Sequence, residues 1–367
     1  MSNQLVTKRI KIDLFSDTNC EPSLAMRKVM CNAEVGNEVA GEDPTVNRLI
    51  DKVCDLLGKE AGIFMPSGTM CNGISFRVWC ERGGDRIFFD KHAHAAIMEA
   101  GLPGGLVNAT PIGIECHRGI FTSSQLLSTI GNKKGYNIPR SRVVSIEQTT
   151  NFGGGAVWSL SALEEIKQVA NQYKMAVHLD GARLFNAVAA THIPARHFCH
   201  FADSVWIDFA KGLGAPMGSV LCGPQNFIDE AWYYKFQQGG AMHQVGILAA
   251  GCLYALTHHV ERLIEDHIHA KLLAELLSEH INIQIFLEDV ETNIVIFKLI
   301  NTELTAQEVV QRLLAEGIRL FALDDKTLRA IVHMDIEKKD IYEVNQKLKE
   351  ILNEDINLRF SPSNGTK

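Results

Sequence analysis

The chain has 367 residues, of which 46% are hydrophobic and 22% charged, with a formal net charge of -7 at pH 7. This is the profile of a soluble globular protein with room for one large and one smaller domain, or for two equal ones, and it lacks the basic surface that nucleic-acid binding needs. No apolar run approaches the roughly 18–20 residues of a membrane helix, so no membrane partner is expected.

The opening stretch MSNQLVTKRIKIDLF has no apolar leader segment. Next, MPSGTMCN (65–72) reads as a turn entering a helix. Ser67, Gly68 and Thr69 bring hydroxyls and backbone N–H groups to that helix start, where a phosphate is favoured by free donors and the helix dipole. RIFFD (86–90) reads as a buried strand, and DKHAHAAIMEAG (90–101) follows it with two histidines at the strand end, His92 and His94. Either is an exposed turn residue or a ring able to stack on a ligand and move a proton.

RVVSIEQ (142–148), MAVHLD (175–180), SVWIDFA (204–210) and SVLCG (219–223) are further strand candidates, with the amphipathic stretch LSALEEIKQVANQY (160–173) among them. Strands alternating with helices predict an α/β fold, a mostly parallel central sheet with helices on both faces. From 243 to 278 the pattern is helical. NIVIFKLI (293–300), TLRAIVHM (327–334) and the helix AQEVVQRLLAEG (306–317) then predict a smaller C-terminal α+β domain. The expected division is an N-terminal arm (1–35), a large domain (36–254) and a small domain (255–367), with SPSNGTK as a disordered tail. The nine cysteines form no C-x-x-C pair, which suggests reduced thiols in a cytoplasm. Cys199 lies in the His/Cys-dense HIPARHFCHF, whose spacing fits no familiar zinc site, so no metal is expected.

The informative pair is HLDGARLFNA (178–187) and KGLGAPMG (211–218). Lys211 ends an apolar strand and faces glycines, an unusual place for a residue seldom buried alone. A dinucleotide loop is a poor fit, because the glycines fall out of register and another strand follows where a helix should start. Pyridoxal phosphate fits both stretches. It needs a lysine for its aldehyde, an acid against its ring nitrogen and a phosphate cradle. Lys211 offers the first and Asp180 the second, with Ala182 small enough to lie against the ring. Both fall at the carboxyl edge of a parallel sheet, where such sheets bind ligands.

Taken together these motifs resemble the threonine aldolase group of fold type I pyridoxal-phosphate enzymes, which includes the aromatic amino acid β-eliminating lyases. The likeness runs from about residue 12 to 350 through SDT (16–18), EVGNEVAGEDPTVNRL (34–49), PSGTMCN (66–72), HLDGARLFNA, KGLGAPMGSV and QGGAMHQVGILAAG (238–251). The resemblance implies that Lys211 carries the cofactor, Asp180 pairs with its nitrogen and Gly68 and Thr69 bind its phosphate. It favours His94 over His92 as the stacking residue, and it gives Ser16, Arg183 and Arg329 the substrate carboxylate. A guanidinium fork matches a carboxylate in two parallel hydrogen bonds.

Three positions depart from the family pattern: Thr150 replaces the histidine of E-N-T-H-N, His243 the arginine of G-M-R-Q, and Ala40 the aromatic residue of D-x-Y-G-E-D. Lys235 is a candidate to compensate for the lost arginine. The expected activity is aldol cleavage of a β-hydroxy amino acid to glycine and an aldehyde, in a homodimer or homotetramer. The alternatives are β-elimination releasing pyruvate and ammonia, or a non-catalytic binding module. The segments GILAAGCLYAL (246–256) and AWYYKF (231–236) read equally as subunit contacts and as core.

Overall fold

A computed structural model describes residues 10–131 and 135–360, with side chains of the last helix described to residue 353; the SPSNGTK tail lies outside the described residues. Numbered along the chain, the strands are β1 (Ile12–Asp13), β2 (Ala61–Met65), β3 (Arg86–Asp90), β4 (Thr110–Ile114), β5 (Ser141–Glu147), β6 (Ala176–Gly181), β7 (Ser204–Asp208), β8 (Ser219–Gly223), β9 (Ile283–Gln284), β10 (Ile294–Leu299), β11 (Ile318–Arg319), β12 (Phe321–Ala322) and β13 (Thr327–Ile331). The chain forms two compact units. One is Cys20–Leu263; among the described residues the other takes those up to Asn19 together with those from Ile264.

The larger unit holds a seven-stranded sheet in the order β2-β8-β7-β6-β5-β3-β4. Its strands run parallel except β8, which is antiparallel to both neighbours. Side chains alternate between the two faces. Val144, Ile146, Val177, Leu179, Val205 and Ile207 face one way and pack against the helices Pro44–Leu57, Leu160–Gln172 and Gly246–His258. Ile63, Met65, Trp206 and Leu221 face the other way, against the helices Gly68–Trp79 and Gln225–Gln237. Each large apolar side chain fully buried here stabilises the fold by roughly 1.5–3 kcal/mol.

The motif EVGNEVAGEDP is largely architectural. Asp43 caps the helix Pro44–Leu57 through Thr45 N–H and Val46 N–H, at 3.1 and 3.0 Å. Its other oxygen accepts from Gly36 N–H and Gly246 N–H, at 3.1 and 2.9 Å. One buried carboxylate thus ties three segments together. GLGAPMG is the hairpin connection between β7 and the antiparallel β8, closed by Gly214 N–H to Lys211 C=O (2.8 Å) and Phe209 N–H to Gly218 C=O (3.0 Å).

In the smaller unit, β12, β13, β10 and β9 form an antiparallel sheet. β1 pairs in parallel with β11, which brings the start of the chain into this unit. Its core includes Leu14, Leu273, Phe297, Leu313, Ile318 and Val344. Among the described residues no helix is long and apolar enough to cross a membrane.

Candidate active site

Alternation along β5, β6 and β7 puts Glu147, His178, Asp180, Ser204, Trp206 and Asp208 on the sheet face that meets the helix Gly68–Trp79. Glu147, Asp180 and Trp206 stand in register across the three carboxyl ends. The apolar interior of that face therefore gives way to a row of polar groups at the edge where three parallel strands stop.

A directed hydrogen-bond chain holds this row. Indole nitrogens only donate, so the two tryptophans fix its polarity. Trp79 Nε1 donates to Ser204 Oγ (2.9 Å), and Trp206 Nε1 donates to Asn72 Oδ1 (2.7 Å). His178 Nε2 lies 3.0 Å from the same Asn72 oxygen, and its Nδ1 lies 2.8 Å from Ser204 Oγ. Asn72 Oδ1 accepts, so His178 carries its proton on Nε2 and accepts a hydrogen bond from the Ser204 hydroxyl on Nδ1. Burial pushes the His178 pKa down to about 3, which keeps the ring neutral. The Asn72 amide then points its donors the other way, to Asp180 Oδ2 (2.9 Å) and Glu99 Oε1 (2.8 Å). Asp180 Oδ1 accepts from Ala182 N–H (3.1 Å). Asp180 is thereby fixed in place with two donors.

His94 begins the short helix His94–Ile97, and its Nδ1 lies 2.8 Å from Glu99 Oε1. Its backbone N–H donates to Glu147 Oε1, while Glu147 Oε2 accepts from Asn151 N–H (3.0 Å). Burial, with the neighbouring Asp180 charge, pushes the Glu147 carboxyl up to about 7. Burial also raises Glu99, against the hydrogen bonds it accepts from His94 and Asn72. Burial pulls the His94 imidazolium down, but the Glu99 hydrogen bond and the Asp180 charge outweigh it, so its pKa lies above the usual histidine range. His92 is exposed, its N–H on Asp90 Oδ2 at 3.2 Å.

Lys211 follows β7. Its Nζ lies 2.8 Å from Asp208 Oδ2 and 5.4 Å from the centre of the Trp206 ring. Burial disfavours the ammonium, yet the Asp208 charge outweighs that and raises its pKa. Arg183 is buried at the start of the helix Leu184–Thr191, with one guanidinium nitrogen 3.3 Å from Asn151 Oδ1. Gly181, Ala182, Arg183, Asp208 and Lys211 line a common recess.

The helix Gly68–Trp79 starts beside these groups. Ser67 is its N-cap, accepting from Met70 N–H at 3.3 Å. The first N–H groups of a helix have no intrahelical acceptor, and Ser67 and Thr69 are exposed there. Gly68 admits no side chain: a Cβ would lie 2.1 Å from Cη2 of Trp206. Trp206 and Asn72 carry no role in the sequence reading. The tryptophan's signal was its place two residues before Asp208 in a strand, which by itself reads as core.

Other expected residues are placed as follows. Lys235 is fully buried, paired with Glu38, and its Nζ lies 4.4 Å from the Trp232 ring centre. His243 is exposed, 3.4 Å from Asn37 Oδ1, and Ala40 is exposed as well. Thr150 is buried, its Oγ1 accepting from Ala156 N–H at 3.1 Å. A Cβ on Gly153 would meet that oxygen at 2.4 Å, so the hydroxyl closes the glycine loop after β5. Burial pushes the Cys199 thiol up to about 12. In the smaller unit, Ser16 Oγ accepts from the Thr18 hydroxyl (2.8 Å), and Arg329 on β13 donates to Phe15 C=O (3.4 Å) with its guanidinium 4.9 Å from the Phe321 ring centre.

The family model described as beta-eliminating lyase matches residues 13–300. Low-specificity L-threonine aldolase 1 of Arabidopsis thaliana is 36% identical over 334 residues, covering 90% of this chain and 93% of that protein. Low specificity L-threonine aldolase of Escherichia coli K12 is 35% identical over 334 residues, covering 91% and 97%. A solved structure of Leishmania major threonine aldolase superposes with a TM-score of 0.79 at 16% identity, covering 93% of this chain and 99% of that one, a likeness of fold.

Proposed function

This chain belongs to the beta-eliminating lyase family and has the fold type I architecture, and from that premise we propose that it is a pyridoxal 5'-phosphate-dependent aldehyde-lyase that splits a β-hydroxy amino acid into glycine and an aldehyde. The observation that carries this reading is the meeting of Lys211, Asp180, His94 and the Gly68 helix start at one sheet edge. The residues present fit the cofactor. Lys211 supplies the amine, Asp180 an acid held by two donors, Ala182 a small side chain after it, and Ser67, Gly68 and Thr69 a helix start with unused N–H groups. Pyridoxal phosphate, when bound, withdraws electrons from the substrate Cα through its protonated ring.

The protein's own groups supply the rest. Asp180 keeps the ring nitrogen protonated, and Asn72 keeps Asp180 in place. Glu99 on His94 Nδ1 leaves Nε2 as the nitrogen that takes a proton when the ring is neutral, which suits it to the β-hydroxyl. Arg183 offers its guanidinium to the substrate carboxylate. By resemblance Ser16 and Arg329 would bind a substrate carboxylate, and His243 stands where the family pattern has an arginine; Lys235, the candidate to compensate, is buried in an ion pair with Glu38. Thr150 Oγ1 accepts from Ala156 N–H, which holds the side chain against the loop after β5, and position 150 lacks the imidazole donor of the family pattern. A site with fewer polar partners discriminates less among substrates, which supports acceptance of bulky β-substituents.

We further propose a cytoplasmic homodimer or homotetramer. The nine free cysteines support a reducing compartment. Exposed Val39, Tyr233 and Phe236, around one surface hollow, support a second copy. Product analysis tests the activity: threonine, allo-threonine or phenylserine should yield glycine and the matching aldehyde. A 2-oxo acid and ammonia in place of glycine (2-oxobutyrate from threonine or allo-threonine, phenylpyruvate from phenylserine) would move the assignment to β-elimination, and no product from any of the three would overturn the lyase reading.

A further inference from the structure

Asp208 has no part in the chemistry described so far, yet it lies against the one lysine that does. It is the last residue of β7, on the same face as Trp206. Its two oxygens are used differently. Oδ1 accepts from Ala210 N–H (2.9 Å) and lies 3.5 Å from Ser219 Oγ, which closes the turn. Oδ2 faces Lys211 Nζ at 2.8 Å. A turn cap needs only the first oxygen and no charge, as asparagine or serine would show. The second oxygen and the negative charge go to the lysine.

We propose that Asp208 is the counter-ion and positioning residue of Lys211, holding its nitrogen beside the Trp206 ring and favouring the protonated form of that nitrogen both before and after the cofactor is attached. The proposal rests on Lys211 being the attachment point. The charged groups that act on Lys211 are Asp208 from β7, Asp180 from β6, Arg183 from the turn after β6, and His94 from the short helix after β3. Arg183 opposes the protonated form, while Asp180 favours it and belongs to the ring nitrogen. Asp208 is the acid in direct contact, and its side chain and that of Lys211 are 9% and 18% exposed. Screening by water is therefore limited. The Cys71 and Cys252 thiols also feel the Asp208 charge, and burial raises both far above the usual range, so they stay neutral. The physical consequence is a lysine that is electrostatically biased on the nitrogen side by a strand residue, independent of the acid on the ring.

The test loads full-length protein with pyridoxal phosphate and titrates its visible absorbance with pH. Wild type should colour, and Lys211→Ala should not; a colourless wild type would overturn the cofactor reading and this proposal with it. Asp208→Asn and Asp208→Ser keep a turn-capping oxygen and remove the charge. Each should colour, with the spectral midpoint lowered by about one pH unit or more, the size expected for loss of an adjacent opposite charge. Asp208→Glu should restore the midpoint toward wild type. Neutral variants that colour at the wild-type midpoint would show that Asp208 only caps the turn, and would overturn the proposal while leaving the cofactor reading intact. Variants that melt like wild type but no longer hold the cofactor would overturn it, because loss of the charge alone leaves a coloured protein with a shifted midpoint; failure of all three variants, Asp208→Glu included, to fold would overturn it as well.

Discussion

Asn72→Asp is the sharpest probe of the buried network, because it changes one atom's chemistry and almost no volume. Asn72 is fully buried, with its amide nitrogen donating to Asp180 (2.9 Å) and Glu99 (2.8 Å) and its oxygen accepting from Trp206 and His178. The aspartate keeps both acceptor contacts and turns both donations into oxygen–oxygen encounters. Hydrogen bonds to charged groups contribute about 1.5–3 kcal/mol each, so losing two costs about 3–6 kcal/mol. That is a large part of a typical stability of about 5–15 kcal/mol. The new carboxyl has a folded pKa raised by burial and by two neighbouring carboxyls. A raised acid favours the folded state at low pH, and the penalty grows as pH rises through its folded value. Urea unfolding of the cofactor-loaded variant at about pH 6 and about pH 8 reads both the size and the sign. A loss under about 1 kcal/mol at the higher pH, or a penalty that grows on acidification, would refute the assigned direction of the Asn72 amide and the chain built on it.

Gly68→Ala should destabilise by about 1–3 kcal/mol, because the new Cβ meets Trp206 at 2.1 Å; it should also weaken cofactor binding, measured by equilibrium dialysis. Glu99→Gln removes the carboxylate charge behind the hydrogen bond that raises the His94 pKa, so the acidic limb of the kcat/KM profile should move to lower pH; an unmoved limb would remove His94 as the titrating base. Lys235→Ala leaves Glu38 buried without its partner and should cost about 3–5 kcal/mol in denaturant unfolding.

The strands rich in β-branched and aromatic residues were legible directly: RIFFD and SVLCG are β3 and β8 as read, and the other central strands differ by a residue or two at their ends. β4 was not, since TPIGI carries a proline and a glycine; it survives because it is the edge strand, where a missing donor faces no neighbour. β1 was invisible because two residues leave no periodicity, and its partner lies some three hundred residues away in sequence. The reversed direction of β8 was equally hidden, although GLGAPMG is short enough for a hairpin and too short for a parallel crossover. At the site, Lys211, Asp180 and His94 stood out because charged residues at strand ends need a reason. Asn72, Trp206, Glu147 and Asp208 did not, because each reads alone as an ordinary helix or strand residue. Only the register across β5, β6 and β7 makes them neighbours.

Borohydride reduction of the pyridoxal-phosphate-loaded protein, followed by peptide mapping, tests the central claim most directly. The account predicts one stable pyridoxyl adduct, on Lys211 within the KGLGAPMG segment, and none in Lys211→Ala. An adduct on Lys235 or another lysine, or no adduct in protein that has taken up the cofactor, would contradict it.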